Sequence, residues 1–204
     1  LLSVVPQVEY VAPNKPINNW QSKVALLRSQ AGVTGAAPFI SVNGMAQYKS
    51  ELKAVELRGV SPEFENQVSA LNQFTEGRLV SQLQQEDVLL GQQIVNRLGL
   101  KIGDPVTLLI PQINQQSNTL LAPKRVSLNL AGIIKMGGPI DETAAFIRLD
   151  KAQSVLSFEQ NQVTGLRLQV ADVFAAHQTA MRVGQVIPDY VYVSSWFRTQ
   201  GSLY

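Results

Sequence analysis

Gly91-Gln92-Gln93-Ile94-Val95-Asn96-Arg97-Leu98-Gly99-Leu100-Lys101-Ile102-Gly103-Asp104-Pro105-Val106 is the most legible stretch of the chain. The short run Val88-Leu89-Leu90 before it is wholly apolar, and Gly91 breaks it. Ile94, Val95 and Leu98 then recur at helical spacing, which predicts a helix over 92–98 with one inward face. Gly99 is placed to end that helix. Gly103-Asp104 turns the chain into the strand Val106–Ile110.

Strands lie on either side of this unit. Upstream, residues 1–11 read as a strand, with Pro6 demoting part of it to an edge or a bulge. Residues 12–18 form a loop, and Asn19 is placed to cap a helix with Trp20, Val24 and Leu27 on one face. Residues 33–48 and 52–60 are strands, and Ser61-Pro62-Glu63 starts a helix carrying Phe64, Val68 and Leu71. Downstream, 106–134 reads as two strands joined by a protruding loop, followed by a strand at 143–149 and a short helix capped by Asp150. The strand 163–170 comes next, then a helix at 173–183 capped by Asp172, then the strand Tyr190–Val193. The order is strand–helix–strand, an insert, then strand–helix–strand, which can build one split α/β sandwich around a middle insertion.

The 204 residues allow one domain or two small ones. Hydrophobic residues make up 45% and charged residues 16%, enough for a core and too little charge for disorder. Twenty-one glutamines and eleven asparagines equal the lysines, arginines and acids together, so much of the surface is neutral amide. The absence of cysteine excludes disulfides, thiolate metal sites and cysteine nucleophiles. A single histidine excludes HExxH zinc sites and histidine clusters. A net charge of +2 gives no electrostatic case for nucleic acid. No stretch reaches the roughly 18–20 apolar residues of a membrane helix. The opening Leu1-Leu2-Ser3-Val4-Val5-Pro6 lacks a signal peptide's basic start and an initiating methionine, as expected of an excised fragment.

Motifs of bond chemistry are sparse. The phosphate-binding patterns GxxxxGK[ST] and GxGxxG and the GxSxG elbow are missing. Gly137-Gly138-Pro139 reads as a turn with no helix start after it. Ser50-Glu51-Leu52-Lys53 matches SxxK without its SDN and KTG companions, and reads as a polar turn. His177 falls on an apolar helix face with Val173 and Ala180, where packing is the default. Asp141-Glu142 reads as a solvated turn, because no further ligands lie at usable spacing. A small hydrolase using Ser50 or His177 is the enzymatic rival, and no catalytic, metal or cofactor residues are assigned.

Two surface features favour binding. The loop Gln112–Pro123 embeds Leu120 and Leu121 among amides, and long strand connections are usually functional or disordered. Lys124 and Arg125 at its base are adjacent cations that can grip a partner's carboxylates. The candidate partner-binding residues are therefore Gln112, Leu120, Leu121, Pro123, Lys124 and Arg125.

These residues carry a family resemblance. Gly91–Val106 resembles the "G..(A/L)A..LGL..GD.V" segment in periplasmic domains of type VII ABC permeases, the wider MacB/FtsX group. Pro38-Phe39-Ile40, Arg58-Gly59-Val60-Ser61-Pro62, Ala122-Pro123-Lys124-Arg125-Val126 and Ala131-Gly132-Ile133 are similar to the LolC/LolE lipoprotein-releasing permeases. The run from Thr164-Gly165-Leu166 through Asp172-Val173-Phe174 to Tyr190–Phe197 is similar to the LolE side of that family. The resemblance covers essentially all 204 residues.

It implies an α+β, MacB-like periplasmic domain lying between the first and second membrane helices of an inner-membrane permease. A split Porter-like part would comprise residues 1–60 plus 163–204, and an inserted, mainly β Sabre-like part residues 61–162. The implied partners are a LolC-like or identical permease subunit, a LolD-like subunit that hydrolyses ATP, the lipoprotein and, weakly or not at all, the chaperone LolA. No cofactor is implied. In LolC relatives a hairpin hook and a polar pad recruit LolA. The hook corresponds to Gln112–Pro123 and part of the pad to Lys124 and Arg125, but Thr107 stands where the LolC pad has a third, basic residue. The alternative is another MacB/FtsX-type permease, serving efflux or the regulation of cell-wall hydrolases.

Overall fold

The computed structural model describes residues 7–68, 71–114, 117 and 119–195. The strands are β1 (Gln7–Val11), β2 (Val33–Tyr48), β3 (Glu51–Val60), β4 (Thr75–Gly77) and β5 (Asp87–Gly91). They continue with β6 (Pro105–Asn114), β7 (Thr119–Ile134), β8 (Ala144–Arg148), β9 (Gly165–Val170) and β10 (Tyr192–Ser195). The helices are α1 (Trp20–Arg28), α2 (Pro62–Val68), α3 (Gln92–Leu98), α4 (Ile140–Thr143), α5 (Leu149–Leu156) and α6 (Ala176–Gly184). The helix expected over 92–98 is α3, and Gly99 ends it at φ 72°, a left-handed conformation glycine adopts without a Cβ penalty.

The strands pair in the order β10-β1-β9-β2-β3-β8-β5-β7-β4, and β6 pairs with both β2 and β7. The path β2-β3-β8-β5-β7-β6 therefore returns to β2 and closes a ring. β2 pairs differently along its length: its first half pairs with β9 and Met45–Gln47 pair with β6. At about 3.3 Å per residue the sixteen residues of β2 span about 50 Å, and they form the spine of the molecule.

Alternation along β7 sends Val126, Leu128 and Leu130 inward, where they meet Val106, Leu108 and Ile110 of β6. The helices cover the open sheet through their apolar stripes. α1 contributes Trp20, Val24 and Leu27, α5 Leu149, Ala152 and Val155, and α6 Ala180 and Val183. Buried Tyr10 donates its hydroxyl to the Ala180 carbonyl (2.6 Å) and so fixes α6 over β1.

Several expectations need correction. Asn19 does not cap α1 with its side chain: it lies at φ 54°, and its Oδ1 accepts from Asn161 instead. Asp150 sits inside the first turn of α5, where its carboxylate is taken up by Arg148 and Gln85. His177 is exposed, because a 3-10 turn at Val173–Ala175 precedes α6 and shifts the helical phase. Asp141 is buried: its carboxylate accepts the N–H groups of Met136 (2.8 Å) and Gly137 (2.9 Å). The Gly137-Gly138-Pro139 turn is thus held from behind, and the one-turn helix α4 does follow it. Pro6, in the first expected strand, lies outside the described residues. Among the described residues no helix is long and apolar enough to cross a membrane.

Candidate functional site

The segment Gln112–Pro123 is a paired hairpin, where the sequence predicted a loop. Gln112 pairs with Leu121, Ile113 with Leu120 and Asn114 with Thr119. The ladder shifts register between Ile110 and Gln112, where Pro111 faces Ala122 and Pro123. Proline has no N–H to give a ladder, so a bulge is where strands tolerate it. The prolines read as loop signals thus mark a kink within two long strands. β6–β7 carries Leu120, 80% exposed, and Leu121, 48% exposed, on its outer part.

The two cations at its base do not act as one grip. Lys124 pairs with Ile110 and Arg125 with Leu109. Successive strand residues take opposite faces, so the two charges are separated by the sheet. Arg125 donates Nη2–H to Gln47 Oε1 (2.9 Å), which ties the hairpin base to β2. Thr107 pairs with Gln47 and with Ser127, so Arg125, Gln47 and Thr107 share one face. Gln112 is half-buried and Pro123 exposed. The hairpin therefore presents two exposed leucines with a single cation on each face behind them.

A second polar constellation gave no sequence motif. Glu9 of β1, Arg167 of β9, Arg58 of β3 and Glu65 of α2 are all buried. Arg58 donates Nη1–H and Nη2–H to the Glu9 carboxylate at 2.5 and 2.9 Å, and Nε–H to Glu56 (3.2 Å). Arg167 donates Nη1–H to Glu65 and lies 3.4 Å from Glu9 through Nε. The Phe39 ring lies against both guanidinium groups, 4.7 Å from Arg58 and 5.7 Å from Arg167. Burial by itself pushes the Glu9 carboxyl up, but Arg58 and Arg167 outweigh it and the net shift is down. For Glu65 burial wins over the two arginines and the shift is up. The faint signal was alternation: Arg167 stands between Leu166 and Leu168, so it takes the face opposite the apolar one.

Among the described residues neither enzymatic candidate, Ser50 or His177, is hydrogen-bonded to a base or a nucleophile. Ser50 is exposed in the β2–β3 turn, and Lys53 Nζ donates to the Ala54 carbonyl (3.4 Å). No cluster of three or more metal-ligating side chains occurs among the described residues.

The comparisons with known proteins follow the same line. The model of the MacB-like periplasmic core domain matches residues 2–186. The lipoprotein-releasing system transmembrane protein LolE of Haemophilus influenzae is 30% identical over 209 residues, which cover all of this chain and 50% of that protein. The LolC protein of the same system in Xylella fastidiosa (strain 9a5c) is 28% identical, over all of this chain and 49% of its own length. The chain thus spans about half the length of these curated relatives. The extracellular domain of the noncanonic ABC-type transporter YknZ from Gram-positive bacteria superposes with a TM-score of 0.57 at 12% identity, over 93% of this chain and 98% of that one. The periplasmic region of MacB from Actinobacillus actinomycetemcomitans gives 0.56 at 9% identity, over 98% and 93%. At such identities these two show a shared fold. With the α+β sheet closed upon β2 and a family match over nearly its whole length, the chain belongs to the family of MacB-like periplasmic core domains.

Proposed function

We propose that this chain is the periplasmic part of a permease subunit in a lipoprotein-releasing ABC transporter of the inner membrane. The observation that carries the reading is the 30% identity to a LolE protein along the entire chain. The Porter-like part (1–60 plus 163–204) and the Sabre-like part (61–162) act as two mechanical units sharing the spine β2. The domain performs no bond chemistry. A LolD-like subunit hydrolyses ATP, and a LolC-like or identical permease subunit pairs with this one across the membrane. Movement of the two permeases closes the space between them, and their periplasmic domains guide the emerging lipoprotein toward LolA and the outer membrane.

The hairpin is the partner-binding element, with Leu120 and Leu121 as its apolar contacts and Gln112, Pro123, Lys124 and Arg125 around them. Exposed leucines held on a paired hairpin lose little conformational entropy on docking. The efflux and cell-wall-hydrolase alternatives have the fold alone in their favour. Deleting residues 61–162 from the full permease is expected to block lipoprotein release; unchanged outer-membrane sorting in that strain would sink the reading.

A further inference from the structure

The chain passes into β1 and out of β10 at one end of the sheet. Gln7 pairs with Gln169 and Val8 with Ser195, while Val33 at the start of β2 pairs with Val170 at the end of β9. At this same end β9 gives way to a short turn. Ala171 donates its N–H to the Gly32 carbonyl (2.9 Å), and Asp172 Oδ1 accepts the N–H of Phe174 (3.0 Å). The turn is pinned on both sides, and it holds Phe174 outward at 97% exposure with Val173 exposed beside it. From there α6 runs back over the sheet to Tyr10, away from Phe174. Phe174 and Val173 thus form a small exposed apolar tip on a braced turn.

Resting on the permease reading above, we propose that Phe174 and Val173 are the contact of this domain with the lipid interface of the membrane. The matched relatives are transmembrane proteins of about twice this length, so on that reading the membrane-bound remainder joins at the end of the sheet that bears Phe174. An apolar ring at that level leaves water for the headgroup region and sets the height and tilt at which the domain stands. The Lys49-Ser50 turn ends the spine about 50 Å away along β2 and stays in water.

The test uses the full-length permease in nanodiscs, with a fluorophore on a single cysteine placed by Phe174→Cys or Ser50→Cys. Both positions are exposed, so neither substitution disturbs packing. Quenching by spin-labelled lipid is expected to be severalfold stronger at 174 than at 50. Equal quenching at the two positions overturns the proposal. So does a label at 174 that is immobilised but not quenched by lipid, since a protein then covers the turn. A full-length chain that fails to float with the bilayer overturns the permease reading, and this contact with it.

Discussion

The Glu9 carboxylate receives both terminal N–H groups of Arg58, at 2.5 and 2.9 Å, across a sheet face where both side chains are almost wholly buried. Two strands, β9 and β2, lie between their own strands β1 and β3. The pair therefore spans four neighbouring strands and fastens the N-terminal strand to the spine. Arg167 and Phe39 fill the strands between them.

Removing one partner should be costly, because it leaves the other charge buried without compensation. Arg58→Met or Glu9→Leu is expected to destabilise the chain by about 3–5 kcal/mol. Replacing both should cost less than the sum, since neither member of the pair is then left buried without the other. Urea unfolding of the two single variants and the double variant checks this; additive losses would show that the two residues act independently.

The acid side of the stability curve has a defined sign. The Glu9 carboxyl lies below its ordinary value of 4.5, so its contribution is complete above that value and is lost as pH falls through the lower folded value. Glu9→Gln should flatten the acid limb below pH 4.5. Glu65 runs the other way: its raised value gives stability present below 4.5 and lost as pH rises through the folded value. Glu65→Gln should therefore remove a decline on the rising side. Unfolding free energies measured from acid to neutral pH would count against both assignments if the slopes matched wild type.

Gly165 leaves room for the ring that the two arginines share. A Cβ there would fall 2.2 Å from Phe39 Cζ. Gly165→Ala is expected to cost about 1–3 kcal/mol through overpacking. Adding Phe39→Leu should restore part of it, by shortening the obstructing side chain. Thermal melts of the three variants test the relation; a neutral Gly165→Ala would remove it.

Leu120→Ser with Leu121→Ser should leave stability within about 0.5 kcal/mol of wild type, since both are exposed. The same variant in the full permease should impair lipoprotein release. Normal release with normal expression would take the hairpin out of the binding surface.

Binding of LolA to the isolated domain should be weak or undetectable by titration, because Lys124 and Arg125 face opposite sides and Thr107 adds no charge. Micromolar or tighter binding, abolished by Lys124→Glu with Arg125→Glu, would reverse that expectation.

Much of the fold was legible wherever one periodicity ruled a segment. Gln92–Leu98 and Trp20–Arg28 showed their buried stripes, and Val126, Leu128 and Leu130 showed their alternation. The candidate leucines at 120 and 121 were also visible, as apolar residues stranded among amides. Prolines misled at 111 and 123, because local propensity cannot tell a loop from a bulge whose ladder resumes beyond it. Lys124 and Arg125 looked like one charge cluster, because neighbours in sequence take opposite sides only once the strand is known to continue through them.

Residue order and type alone gave most of the elements, the helix-ending Gly99, the absence of thiol chemistry and the resemblance to MacB-like permease domains. Those depend on local periodicity and residue type, which a single strand of text carries. Long-range pairing set the rest: β2 meets β9 through its first half and β6 through its second, and β6 closes the ring upon it. The tertiary structure alone gathered Glu9 of β1 and Arg167 of β9, from near the two ends of the chain, with Arg58 and Glu65 of the consecutive elements β3 and α2. Strand pairing across long loops depends on closing those loops and burying a shared face, a global free-energy balance that no local window contains.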